Sequence, residues 1–169
     1  MSDLHEQIVA CMPSLRRYAR GLTGNVHAAD DLVQDALERA CSRVGLWQRR
    51  GELRAWLFSI AHNVFIDNVR SARSCPVQPI GEEELTAPIR GTQTDMLEVR
   101  DLDRVLLRLR PEQREILLLV AVEQLSYEDT AKVVGVPVGT VMSRLSRARA
   151  ALRALLEVRE PVSRLKAVK

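Results

Sequence analysis

Aromatic side chains are scarce in this sequence: two Trp, two Tyr and two Phe make up 4% of its 169 residues. A chain so poor in rings, in which Leu, Val, Ala and Arg dominate, is ill suited to sheets and well suited to helices. Cysteine is scarcer still. Cys11, Cys41 and Cys75 are odd in number, widely spaced and in no Cys-x-x-Cys pair. That excludes a disulfide framework and a thiolate metal site, and it fits reduced thiols in a cytoplasm. No apolar run approaches membrane-spanning length. The amino terminus Met1–Gln7 is polar with two acids, unlike a secretory signal peptide. A cytoplasmic chain with no membrane insertion of its own is expected. A catalytic constellation is missing too: His5, His27 and His62 are isolated, there is no phosphate-cradling glycine loop, and Ser, His and Asp form no motif. No cofactor, no metal and no enzymatic activity are expected, and His62 reads as a polar-face histidine.

The net charge of +3 hides an uneven distribution. Met1–Ser74 holds ten basic and eight acidic residues, Cys75–Asp103 two and seven, and Arg104–Lys169 thirteen and seven. Two basic lobes joined by an acidic stretch suggest two contacts with a polyanion. The acidic stretch contains Pro76, Pro79, Pro88, Gly81, Gly91 and the run Glu82-Glu83-Glu84 without a sustained helical period, so it reads as a linker. Either side, the pattern is helical. Helices are expected over Pro13 to about Thr23 (Leu15, Tyr18, Ala19 and Leu22 inward), Ala28 to about Val44, Leu53 to about Ala72, Met96–Leu109 and Pro111–Gln124, with Ile116, Leu117 and Val120 inward in the last. The expected organisation is all-α: one helical domain over 1–74, a flexible linker over 75–100, a second helical domain over 101–160 and a tail over 161–169.

The stretch Leu125–Leu145 has the punctuation of a helix-turn-helix. Ser126 can cap a helix, with Asp129 reaching back in the manner of a capping box. Ala131 is small where two helices must cross. Gly135 stands where the chain leaves the first helix with positive φ, and Pro137 suits the first turn of the next. Val141, Leu145, Ala148 and Leu152 then form one apolar stripe, on a helix running on to about Val158. Between Asp129 and Glu157 there is no acid, but there are Lys132, Arg144, Arg147, Arg149 and Arg153. Such a helix is built to sit on phosphate while its amino-terminal turns read base edges. Val138, Gly139, Thr140, Ser143 and Arg144 are expected to face the groove, with Arg147 and Arg149 clamping phosphate.

In the second helix Asp31, Gln34, Asp35 and Glu38 share one face, opposite Leu32, Ala36, Leu37 and Ala40. Asp30 and Asp31 in a first turn would complement the helix dipole, which leaves Asp35 and Glu38 unexplained. An acidic ridge is not for DNA. It is either a docking face for a basic protein surface or merely solvated, and the pattern alone does not choose. The third helix and its approach gather Trp47, Trp56, Phe58 and Phe65 among Arg49, Arg50, Arg54, Arg70 and Arg73. Aromatics beside arginines can stack unpaired bases, worth roughly 1–3 kcal/mol per base. Trp56, spaced with Leu57, Ile60 and Val64, is better read as core. Trp47, in the Gly45–Gly51 loop, is better read as a base contact. Asn63, Asp67 and Arg70 line one polar face.

Three segments together, Asp30-Asp31-Leu32-Val33-Gln34-Asp35-Ala36, Arg54-Ala55-Trp56-Leu57-Phe58-Ser59-Ile60-Ala61-His62-Asn63 and Leu125–Arg149, resemble the extracytoplasmic-function group of sigma-70-type RNA polymerase sigma factors. The resemblance spans nearly the whole chain apart from linker and tail. It implies sigma domains two and four, and a transcription initiation factor that is not itself an enzyme. By the same resemblance, Asp31, Gln34, Asp35 and Glu38 dock on the clamp helices of the largest polymerase subunit, and the second domain meets the polymerase flap. Trp47, Arg49, Arg50, Asn63, Asp67 and Arg70 bind and melt the promoter −10 element. The helix Pro137–Arg149 reads the −35 element, the linker threads toward the RNA exit channel, and an anti-sigma protein holds the factor inactive until a signal arrives. Two departures stand out: Gln124 replaces a usual glycine before the Leu-Ser pair, and Met142 replaces a usual Lys or Arg. Two alternatives remain. A stand-alone helix-turn-helix regulator would need a dimerisation helix, and none is found. A regulatory decoy would lack the aromatic–arginine set, which is present.

Overall fold

The computed structural model describes residues 2–47, 52–74 and 102–157. Every element among them is helical. Helix α1, Ser2–Thr23, begins eleven residues before the expected start at Pro13. Pro13 removes one backbone bond and crowds the preceding turn, but Leu4, Ile8, Cys11, Leu15, Tyr18 and Leu22 continue one stripe through it and pack on a common core. Tertiary burial outweighs the local penalty. Asn25 caps α2, Val26–Arg43, by accepting from the Ala28 amide at 3.0 Å. Because α2 starts two residues earlier than expected, Asp30 and Asp31 lie beyond its first turn, which holds no acid. The helix dipole therefore does not account for them. A 3₁₀ turn, Val44–Leu46, leads to Trp47, and α3 runs Leu53–Ser74.

After the linker, whose expected bounds lie wholly outside the described residues, residues 102–107 form α4. Its expected beginning at Met96 is likewise outside them. Helix α5, Pro111–Leu117, opens on a proline in its first turn and widens into a π turn, Leu118–Val122, instead of staying α-helical to Gln124. The Glu123 amide reaches back five residues to the Leu118 carbonyl at 2.8 Å, and Glu123 is carried inward. Gln124 then takes φ +55°. Helix α6, Tyr127–Val134, ends on Gly135 at φ +71°, and α7 spans Val138–Glu157, so Pro137 stands one residue ahead of it. Residues 158–169, the expected tail among them, lie outside the described residues.

Helices α1, α2 and α3 form the first lobe; α4 to α7 form the second, where Ile116, Ala131, Val141 and Leu145 make a small core of their own. The lobes do not stand apart. One larger core joins Leu15, Tyr18, Leu22, Leu32 and Phe58 to Leu106, Leu109, Leu118, Leu119 and Val133. The close approach needs small residues at the end of α1 and just beyond it: a Cβ on Gly21 would lie 2.6 Å from Leu118 Cδ2, and one on Gly24 2.6 Å from Leu107 Cδ1.

Candidate nucleic-acid and protein interfaces

On α2 the sequence pattern sorts cleanly by face. Leu32, Ala36 and Ala40 are buried and Leu37 half-buried, while Asp31, Gln34, Asp35 and Glu38 are all exposed. Gln34 Nε2 donates to the Glu38 carboxylate at 3.2 Å, holding two members of the ridge side by side. Beside it, between α1 and α2, lies an open groove of about 770 Å³ whose lining includes Met12, Arg16, Val33, Gln34, Leu37 and Glu38. Its α2 side carries Asp30, Gln34 and Glu38 and its α1 side Arg16 and Arg20, over an apolar floor that includes Val33 and Leu37.

Asn63, Asp67 and Arg70 line the exposed face of α3, as their spacing predicts. Asp67 accepts from Arg39 Nη1 of α2 at 2.9 Å. Trp56 is half-buried against the core, but Trp47 is held more firmly than a loop residue was expected to be. It is half-buried against the same core, with its ring 6.1 Å from that of Trp56. Its indole Nε1 is buried without a hydrogen-bond partner. Arg49 and Arg50 lie outside the described residues, and Arg73 has no described side chain. Arg54 stacks over the buried Phe58 ring at 5.6 Å and binds Glu123.

The helix-turn-helix is built as its punctuation requires. Ser126 Oγ accepts from the Asp129 amide at 3.0 Å. Asp129 does not return to the Ser126 backbone; its carboxylate accepts from the Ser126 hydroxyl at 2.9 Å and meets Lys132 at 3.2 Å. On α7, Val141, Leu145 and Ala148 are buried while Gly139, Met142, Ser143, Arg147 and Arg149 are exposed. Val138, Thr140 and Arg144 are half-buried at the rim. The amino-terminal turns thus expose small and polar residues, with Arg144 at the rim.

Between the lobes lies a cluster that the sequence did not disclose. Glu123, its side chain fully buried, accepts from Arg17 Nε at 2.7 Å, Arg17 Nη2 at 2.9 Å and Arg54 Nη2 at 2.8 Å. Glu115, also buried, accepts from the Tyr18 hydroxyl at 2.6 Å and lies 2.6 Å from His62 Nδ1. Both carboxylates belong to the second lobe and all four partners to the first. Burial, then the Glu115 carboxylate, push the Tyr18 hydroxyl well above its ordinary pKa, so it remains a donor. The hydrogen bond to Glu123 raises the Arg17 guanidinium above its usual value. His62, expected on a free polar face, is therefore an interlobe residue.

Residues 8–62 match the family model described as the Sigma2 domain of PhyR, and residues 100–152 that described as Sigma-70, region 4. The chain is 41% identical over 156 residues to the ECF RNA polymerase sigma factor EcfG of Rhodopseudomonas palustris, covering 92% of this chain and 86% of that one. It belongs to the extracytoplasmic-function sigma factors. A second sigma factor, SigC of Mycobacterium tuberculosis, is 40% identical over 134 residues, 77% of this chain and 71% of its own. Among solved structures, the sigma factor RpoE in complex with the anti-sigma factor NepR, from Bartonella quintana, superposes with a TM-score of 0.80. It shares 31% identity and covers 94% of this chain and 99% of that one. Both lobes therefore overlay as one body on the anti-sigma-bound relative. Within this sigma factor, Gln124 keeps at φ +55° the left-handed turn that a glycine would take without strain. No helix among the described residues is long and apolar enough to cross a membrane.

Proposed function

We propose that this sigma factor docks on core RNA polymerase through Asp31, Gln34, Asp35 and Glu38. In this reading it opens and reads the −10 element with Trp47, Arg49, Arg50, Asn63, Asp67 and Arg70. It reads the −35 element with Val138, Gly139, Thr140, Ser143, Arg144, Arg147 and Arg149. It acts in the cytoplasm as a specificity factor, with no chemistry of its own; bond formation belongs to the polymerase. The observation that carries the reading is the division of α7: Val141, Leu145 and Ala148 of its apolar stripe are buried while Gly139, Ser143, Arg147 and Arg149 are exposed. In this reading Arg147 and Arg149, exposed beside a buried stripe, meet phosphate, and Arg144 at the rim meets the base edges.

Control by an anti-sigma protein follows from the overlay of both lobes on a relative held by one. The acidic ridge and the α1–α2 groove are the surfaces for which such a protein and polymerase would compete. The test is run-off transcription by core polymerase with and without the purified chain on a library of genomic promoter fragments. Discrete transcripts that appear only with the chain support the reading; polymerase unaffected by the chain, or a chain that binds duplex tightly without polymerase, refutes it.

A further inference from the structure

Within the first two turns of α7 one long apolar side chain points away from the core. Met142 is 53% exposed, although Val141 before it is buried. Its neighbours on the helix surface, three and four residues away, are Val138, Gly139, Leu145 and Ser146. Leu145 is buried and Val138 half-buried, so neither covers it; Gly139 and Ser146 are exposed but short. The thioether therefore stands proud of its surroundings, at the end of the helix that is offered to DNA.

A single exposed methionine is ordinary on a protein surface. This one is set apart by its place and its chemistry. A methionine side chain carries no charge and donates no hydrogen bond. It cannot clamp phosphate, and it cannot read guanine or adenine as Arg, Lys, Asn or Gln do. The apolar group that an unmodified base pair shows in the major groove is the C5-methyl of thymine. An unbranched, polarizable side chain adapts readily to such a small apolar target.

We propose that Met142 is a specificity-determining residue of the −35 contact, reading a thymine by packing on its C5-methyl group. The proposal rests on the reading of α7 as the −35 helix, and it adds to Arg144 and Ser143 a contact that involves no hydrogen bond. An apolar patch of polymerase is the competing occupant. It differs in one respect that can be measured: a protein contact is blind to the base.

The experiment removes the methyl group from the DNA. Holoenzyme assembled from core polymerase and the full chain transcribes the strongest promoter selected from a library with its −35 element randomised. Each thymine of that element, on either strand, is then replaced singly by deoxyuridine, which pairs alike and lacks only the C5-methyl. At limiting holoenzyme, one position should lose about fourfold in initial rate, the worth of one buried methyl-sized group. Met142→Ala should show the same loss on the thymine promoter and no further loss with deoxyuridine. Met142→Leu, still apolar, should keep the sensitivity, and Met142→Lys should move the preference at that position toward guanine. All three change an exposed side chain, so circular dichroism should match the parent.

A parent indifferent to deoxyuridine at every position, or a sensitivity undiminished in Met142→Ala, overturns the proposal and leaves the sigma-factor reading intact. A loss with Met142→Ala that is equal on all −35 sequences assigns the residue to polymerase and overturns it too. Absence of any promoter-specific transcript with the parent chain overturns the sigma-factor reading, and the proposal with it.

Discussion

The Arg39 guanidinium, on the helix of the acidic ridge, donates to the Asp67 carboxylate, on the helix of Asn63, at 2.9 Å. The pair ties the surface proposed for polymerase to the surface proposed for the −10 element. Its side chains are 41% and 54% exposed, so it is worth less than about 1 kcal/mol. Arg39→Ala and Asp67→Ala should each shift the midpoint of urea unfolding only slightly. A loss of several kcal/mol by either would make the pair a structural bond and not a surface clasp.

Charge reversal of the ridge should cost binding without costing structure. Asp35→Arg combined with Glu38→Arg changes two exposed residues, so helicity by circular dichroism should not move. Core polymerase binding should weaken by several kcal/mol, the usual penalty for like charge across an interface. Undiminished capture in a pull-down would return the ridge to solvent.

Trp47 and Asn63 should matter for strand opening. Holoenzymes carrying Trp47→Ala and Asn63→Ala should still protect duplex promoter but lose permanganate-reactive thymines near the start site. Trp47 also rests on Trp56, so its substitution lowers stability as well; Asn63, exposed, separates the two effects. Normal melting with Asn63→Ala contradicts its assignment.

The turn into the helix-turn-helix holds strain that a substitution can release. A left-handed residue other than glycine costs roughly 1–2 kcal/mol, and Gln124 at φ +55° carries it. Gln124→Gly should stabilise the chain by about 0.5 kcal/mol after the entropy that glycine loses. Gly135→Ala, at φ +71° with open space around it, should destabilise by about 1 kcal/mol or more. Thermal unfolding of both variants decides it; a stabilised Gly135→Ala would contradict the turn geometry.

What the sequence disclosed was local. Ser126, Gly135 and the stripe Val141/Leu145/Ala148 act within a few residues of themselves, and their places in the fold follow from spacing alone. The start of α1 was not legible, because Pro13 looks like a first-turn proline while the stripe that overrides it runs back to Leu4. The roles of Arg54 and His62 were not legible either. Their partners, Glu123 and Glu115, lie 69 and 53 residues away, on the far side of the linker, and nothing periodic connects them. One signal was present: Glu115 and Glu123 fall in an otherwise apolar stretch around Ile116–Val122, where a carboxylate needs a partner.

The most direct test of two separate promoter-reading surfaces is transcription by core polymerase from a library with both elements randomised, at two salt concentrations, comparing parent, Asn63→Ala, Arg144→Ala and Arg147→Ala. Losing a base contact costs about 1–3 kcal/mol and relaxes one position. Losing a phosphate contact weakens all sequences alike and lowers the salt slope by about one. Asn63→Ala should change only the −10 profile, Arg144→Ala only the −35 profile, and Arg147→Ala neither profile but the salt slope. Identical profiles and slopes for all four proteins would contradict the account.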